Sequence, residues 1–218
     1  MNGAIAADGS PIEVFARFPA GQAPAYVTSR LDAGSSILDL GCGAGRLAKV
    51  FSAAGHHVVG VDQSPEMLAA VDDAGVETVV ADIETVDLGR RFDAVVLASY
   101  LVNDPSEERR LQYLRACRRH VREGGTVFIQ RHDPSFLTGP VPVASAEDGF
   151  GFTFDRLTED GPLIRARVTY LHEDRTWEQE FDTMIIDDEQ MTAMLDAAGL
   201  ALRGWLDEFG TWAEAGPT

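Results

Sequence analysis

The chain has 218 residues, 45% of them apolar, and its 35 acidic side chains outweigh 18 basic ones for a net charge of −17. That length suits one well-buried core, and no stretch nears the roughly 18 consecutive apolar residues of a membrane span. The charge has the wrong sign for a polyanion binder, so neither nucleic acid nor membrane is an expected partner.

The opening "MNGAIAADGSPIEVF" has no basic region ahead of an apolar block, so no secretion signal is expected. Cys42 and Cys117 are the only cysteines, each in an apolar context, which fits a reducing cytoplasm rather than a disulfide framework. The densest basic run, "EERRLQYLRACRRHVRE", interleaves arginine with glutamate and apolar positions, the pattern of a solvated helix face.

After a lead-in over residues 1–35, strands and helices alternate. "SILDL" is a short apolar run stopped by glycines. "AGRLAKVFSAAG" follows with Leu47, Val50, Phe51 and Ala54 at helical spacing and Gly55 as its stop. "HVVGVD" is a second strand. "SPEMLAAVDDAG" reads as a helix, with Ser64 as N-cap, Pro65 in first position and Gly75 as terminator. "VETVVAD" and "FDAVVLAS" are the third and fourth strands. Asp104 and Pro105 open a long helix burying Leu111, Leu114, Cys117 and Val121, which "GG" ends before the fifth strand "TVFIQ". Runs such as "VVLA" are apolar on both faces, as parallel strands covered on both sides require. The assembly expected is α/β, a doubly wound sheet over residues 36–131.

Residues 132–186 differ. "DPSFLTGPVPVASAEDGFG" reads as a loop; "FTFDRL", "LIRARVTYL" and "TWEQEFDTMII" read as antiparallel hairpins. Their aromatics (Phe152, Phe154, Tyr170, Trp177, Phe181) suit three uses: roofing a pocket, packing on the sheet, or a homodimer contact. In residues 187–218, "DDEQMTAMLDAAG" is a helix, and "LALRGWL" and "GTWAEA" close the sheet as a strand pair. One domain of 1–218 accommodates all of this.

In such sheets ligands sit outside the carboxyl ends of the strands, where strand order reverses. Gly41, Cys42, Gly43, Ala44 and Gly45 fall there, and glycines let a ligand approach the backbone. Asp39 precedes them, Asp62 ends the second strand and Asp82 ends the third, a set shaped for a nucleoside. The frame is G-x-G-x-G rather than the dinucleotide G-x-G-x-x-G. An anionic pyrophosphate would be poorly served beside these acids, whereas an ammonium and a sulfonium would be served well.

On these residues the chain resembles the class I S-adenosylmethionine-dependent methyltransferases, whose sheet is seven-stranded and Rossmann-like. "ILDLGCGAGRLA", "VVGVDQSPEML", "VVADIETVDL", "FDAVVLASYLVN" and "VREGGTVFIQ" match the family's motifs in order over 36–131, and "DGSPIEVF" is similar to the lead-in of small bacterial members. The resemblance implies S-adenosyl-L-methionine as cofactor and a small-molecule acceptor methylated at O or N. It implies backbone contacts from Gly41, Cys42 and Gly43, support from Asp39 and Arg46, ribose binding by Asp62 with Gln63 beside it, and Met67 on adenine. Asp82, Ile83 and Glu84 would meet the adenine edge, and Ala98, Ser99, Tyr100 and Asn103 would face the methyl and the acceptor.

Methyl transfer from an activated donor is chiefly a positioning problem, so no catalytic triad is required. Where a proton must leave, His132 is the candidate base, with Arg131 and Asp133 flanking it to bind an acceptor carboxylate or tune the ring. No His or Cys pair has metal-ligand spacing, so no metal is expected. Two other readings stay open: a protein of this fold that binds the cofactor without moving its methyl (a cyclase, lyase or non-catalytic partner), and a nicotinamide oxidoreductase.

Overall fold

The computed structural model describes residues 5–6, 9–135, 139, 143–147 and 149–218. Strands β1 (Ser36–Leu40), β2 (His57–Asp62), β3 (Val76–Val80), β4 (Phe92–Leu97), β5 (Val121–Gln130), β10 (Leu200–Trp205) and β11 (Trp212–Pro217) form a seven-stranded sheet. Its order is β10-β11-β5-β4-β1-β2-β3. β1 lies parallel between β2 and β4, and β11 runs antiparallel between β5 and β10. The order therefore reverses at β1/β4, as the doubly wound expectation requires.

Alternation along the strands divides the core. Ile37, Ala94, Val96 and Phe128 join Phe51 of α3 (Ala48–Ala53) and Val27 of α2 (Ala23–Thr28) on one face. Leu38, Leu40, Val95, Leu97 and Ile129 meet Leu114 of α5 (Glu107–His120) and Met191 of α6 (Asp188–Ala197) on the other. Burying both faces explains the unbroken apolar runs.

Local chemistry shifts several boundaries. Ser64 caps α4 (Pro65–Leu68), its Oγ accepting from the Met67 N–H at 3.1 Å, but the helix lasts four residues rather than reaching Gly75. Downstream, the Asp73 carboxylate accepts from the Gly75 N–H at 2.8 Å, a side-chain turn that competes with helix. α5 begins at Glu107 because Ser106, not Asp104, is its cap. The "GG" pair does not end that helix; it lies within β5, where the register steps from Phe92↔Val121 to Ala94↔Thr126. A Cβ at Gly125 would stand 2.9 Å from the Asp93 carbonyl oxygen, so close backbone approach selects glycine there.

A second, antiparallel sheet contains β6 (Val143–Glu147), β7 (Phe150–Asp160), β8 (Leu163–His172) and β9 (Arg175–Met184) in that order. The three expected hairpin strands are present, and β6 is a fourth within the segment expected to be loop. The rest of that segment at 136–138, 140–142 and 148 lies outside the described residues. The lead-in is also structured. One side of α1 (Ile12–Arg17), continued by Phe18, packs Val14, Phe15 and Phe18 with Phe154, Ile164, Ala166, Val168 and Tyr170. Phe15 and Phe18 meet Tyr170 edge-on, with centroids 5.9 and 6.0 Å apart. Its other side sets Ile12 and Ala16 with Ala6, Ala44 and Met67. The hairpin aromatics thus pack against the lead-in helix, a partner absent from the three expected uses. Among the described residues no helix is long and apolar enough to cross a membrane.

Candidate active site at the carboxyl ends of the parallel strands

Gly41, Gly43 and Gly45 follow β1 with φ of +72°, +54° and +78°, the left-handed region glycine enters at least cost. A Cβ at Gly41 would meet Leu101 Cδ1 at 2.5 Å and Ile83 Cδ1 at 3.2 Å, whereas one at Gly43 would meet nothing nearer than Met67 Sδ at 4.0 Å. The turn is thus packed beneath Gly41 and open beside Gly43. Asp62 braces it: one carboxylate oxygen accepts from the Gly43 N–H at 2.8 Å and the other from the Ser64 N–H at 2.9 Å. Asp39 is 2% exposed beneath the turn. Burial raises its carboxyl to about 7, opposed by Arg46 and reinforced by Asp62, while the Ala48 N–H donates to it. Its bond to Ala48 ties the end of β1 to the start of α3 across the turn. Arg46 is half-buried, donating to the Pro19 and Ala20 carbonyls at 3.4 and 3.3 Å; burial lowers its pKa, opposed by Tyr100 and Asp39.

Other expected contributors divide. Met67 and Ile83 are buried beside the turn, Ala98 is buried at the end of β4, and Gln63 and Asp82 are exposed at the rim. Two side chains turn away. Cys42 Sγ packs on Gly60, where an added Cβ would lie 2.7 Å from it, and burial pushes its thiol pKa up. Glu84 is engaged by Arg109 at 2.8 Å. Any contact Cys42 makes with a ligand is through its backbone.

Across the rim, Ser99 and Tyr100 also have positive φ, +55° and +62°. The Tyr100 ring stacks on His132, with centroids 3.9 Å apart and planes within 8°. His132 is 8% exposed, and its ring nitrogens have no hydrogen-bond partner among the described residues. Burial depresses its pKa to about 3. The imidazole is therefore neutral near pH 7 and has a lone pair with which to accept a hydrogen bond.

Asn103 and Arg131 are committed to other partners. Asn103 is 1% exposed, and its side chain accepts from the His132 N–H at 2.9 Å and donates to the Met184 carbonyl at 2.7 Å. It joins the rim to β9 instead of facing an acceptor. Arg131, 2% exposed, donates to the Gly210 carbonyl at 2.7 Å, the Ile186 carbonyl at 2.9 Å and the Asp188 carboxylate, with Trp205 4.0 Å beneath. It is a structural brace with its donors committed, and Asp133 accepts from Ser135 rather than tuning the ring. The residue missed from sequence is Gln130, whose Oε1 accepts from the Ser99 N–H at 2.9 Å. Its place at the rim end of β5 was the available signal.

A hollow of about 470 Å³ at the amino ends of β1, β2 and β4, lined by Ser36, His57, Gly75, Arg90 and Phe92, includes none of the expected site residues. Among the described residues no three His, Cys, Asp or Glu side chains gather as metal ligands do.

Residues 37–125 match the family described as "Methyltransferase domain". That stretch runs from β1 into β5 and is similar in sequence to a methyltransferase domain. It is 32% identical over 108 residues to the cypemycin N-terminal methyltransferase of a Streptomyces species, covering 47% of this chain and 44% of the relative. It is 32% identical over 134 residues to a ubiquinone biosynthesis O-methyltransferase of Xanthomonas oryzae, covering 56% and 54%. The matches thus span about half the length of these curated relatives. Beyond the matched domain, the fold superposes on the S-adenosylmethionine-bound amino pentose methyltransferase CalS10 of Micromonospora echinaspora. The TM-score is 0.68 and the identity 26%, over 91% of this chain and 90% of that one.

Proposed function

We propose that this protein is an S-adenosylmethionine-dependent methyltransferase acting on a small-molecule acceptor, and that the acceptor atom is an amine nitrogen. The carrying observation is the turn held by Asp62 between Gly43 and Ser64, with open space beside Gly43 and the Tyr100–His132 pair at the same sheet rim. These residues fit the cofactor. The Gly43 side admits a ligand against backbone, the Asp62 carboxylate places hydrogen-bond acceptors at the turn, and Met67 and Ile83 offer an apolar wall. Bound there, S-adenosylmethionine supplies an electrophilic methyl on a cationic sulfur, and the acidic surroundings of Asp39 and Asp62 favour that charge.

The chain's own work is then orientation. A neutral His132 accepts a hydrogen bond from the acceptor's N–H and so aims the nitrogen lone pair. The desolvation that keeps the imidazole uncharged also favours the uncharged, nucleophilic form of an amine. A net charge of −17 draws cationic amines from solution. The names of two relatives, an N-terminal methyltransferase and an amino pentose methyltransferase, agree with this choice.

Calorimetric titration with S-adenosylmethionine, with NADH as control, tests the site. Appearance of S-adenosylhomocysteine with a panel of small amines and matched alcohols tests the chemistry. Binding of NADH alone, or turnover of alcohols alone, would overturn the respective half of the reading.

A further inference from the structure

Two consecutive residues with side chains, Ser99 and Tyr100, hold left-handed backbone conformations at the rim. Such a pair persists only where its surroundings over-determine it. Here the two segments grip each other reciprocally. Gln130 at the end of β5 takes the Ser99 N–H, and Asn103 just beyond the turn takes the His132 N–H, both at 2.9 Å. Within the turn, the Asn103 N–H donates to the Tyr100 carbonyl at 2.8 Å. Between the two carboxamides, Tyr100 lies flat on His132.

The two grips differ in what else they do. Asn103 is buried and also secures β9 through Met184, so the fold depends on it. Gln130 is half-buried and Ser99 is exposed, so water can take the Ser99 N–H if the carboxamide is removed. Losing Gln130 therefore frees the turn at little cost to the fold.

We propose that Gln130 is a positioning residue of the methyl-transfer site, whose side-chain oxygen holds the Ser99–Tyr100 turn so that Tyr100 stays stacked over His132. The consequence for transfer rests on the reading above; the mechanical claim does not. With Tyr100 covering one face, the imidazole meets an acceptor through its ring nitrogens at the edge, which fixes the direction from which the acceptor is held.

Proton NMR of the full chain tests this without knowledge of the acceptor. His132 ring signals are assigned by their loss in His132→Asn, and their unstacked position is defined by Tyr100→Leu. In the wild type they should lie upfield, under the Tyr100 ring current, and should not titrate between pH 5 and 8. In Gln130→Leu they should move at least halfway to the Tyr100→Leu position and begin to titrate in that range. Gln130→Glu, which keeps an oxygen acceptor, should retain the upfield position. S-adenosylmethionine affinity should stay within threefold across the Gln130 variants. Upfield, non-titrating signals in Gln130→Leu would overturn the proposal, as would loss of its cooperative melting transition, which would make Gln130 a fold residue. Failure of the wild type to bind S-adenosylmethionine would instead overturn the methyltransferase reading and leave the stack result intact.

Discussion

Gly43→Ala separates the cost to the fold from the cost to the ligand. The backbone there sits at φ +54°, and left-handed geometry costs an L side chain about 1–2 kcal/mol. The new methyl finds only Met67 Sδ, at 4.0 Å, so no steric term is added. For a chain of this size the melting temperature should fall by about 2–8 °C. The methyl occupies the space offered to the cofactor, so affinity for S-adenosylmethionine should drop at least tenfold, about 1.4 kcal/mol or more. Gly41→Ala is the contrast: its Cβ comes within 2.5 Å of the Leu101 tip, which can turn only partly because Ile83 stands at 3.2 Å. That adds about 1 kcal/mol at the low end of overpacking penalties. Urea denaturation and calorimetry on both variants make the comparison. A folded Gly43→Ala protein with wild-type affinity would refute the assignment of the turn as the cofactor cradle.

Three further outcomes are expected. His132→Leu, which removes the ring acceptor, should lower methylation of the first amine acceptor found by about 10–100-fold, with S-adenosylmethionine affinity within threefold by calorimetry; full activity would remove its orienting role. His120 is fully buried, with Nδ1 directed at the Ala116 carbonyl and Nε2 accepting from the Leu88 N–H at 3.1 Å, and burial leads the causes that lower its pKa below 6.5. The unfolded chain therefore binds the extra proton first, and this contribution to stability is present above pH 6.5 and lost as pH falls through the folded value. Asp39, raised to about 7, works in the opposite direction, so the measurement is a difference: wild type should lose more stability than His120→Gln between pH 7.5 and 5 in denaturant titrations. Arg131→Leu should cost about 3 kcal/mol or more by the same assay, chiefly from the stranded Gly210 and Ile186 carbonyls, because Asp188 is exposed enough to be solvated. Arg131→Lys should recover little, lacking the planar fork that reaches both carbonyls and stacks on Trp205.

What was legible in the sequence follows the reach of each signal. Strands β1, β2 and β4 were readable because burial on both faces forces apolar runs, and Ser64 and Gly55 worked as cap and stop because those effects are local. The short span of α4 was not readable from helical spacing, since the Asp73 turn competes with it over the same residues. β6 was obscured by proline and glycine nearby, and it pairs with β7 through backbone bonds that composition does not encode. In the site, the glycine turn with Asp39 and Asp62 could be placed from strand ends alone. Arg131 and Asn103 could not: their partners, Gly210, Ile186 and Met184, lie 55 to 81 residues away. A polar residue at the rim reads the same whether it faces a ligand or a distant carbonyl.

The short helix α1 has no side to spare. Val14 packs on the outer sheet, Ile12 and Ala16 pack at the turn where Met67 lies, and Phe15 touches both. Anyone exchanging the outer hairpins for those of another protein would have to transplant this stretch of chain with them. A graft of strands alone would leave Phe15 facing a foreign surface and loosen the wall behind the nucleoside.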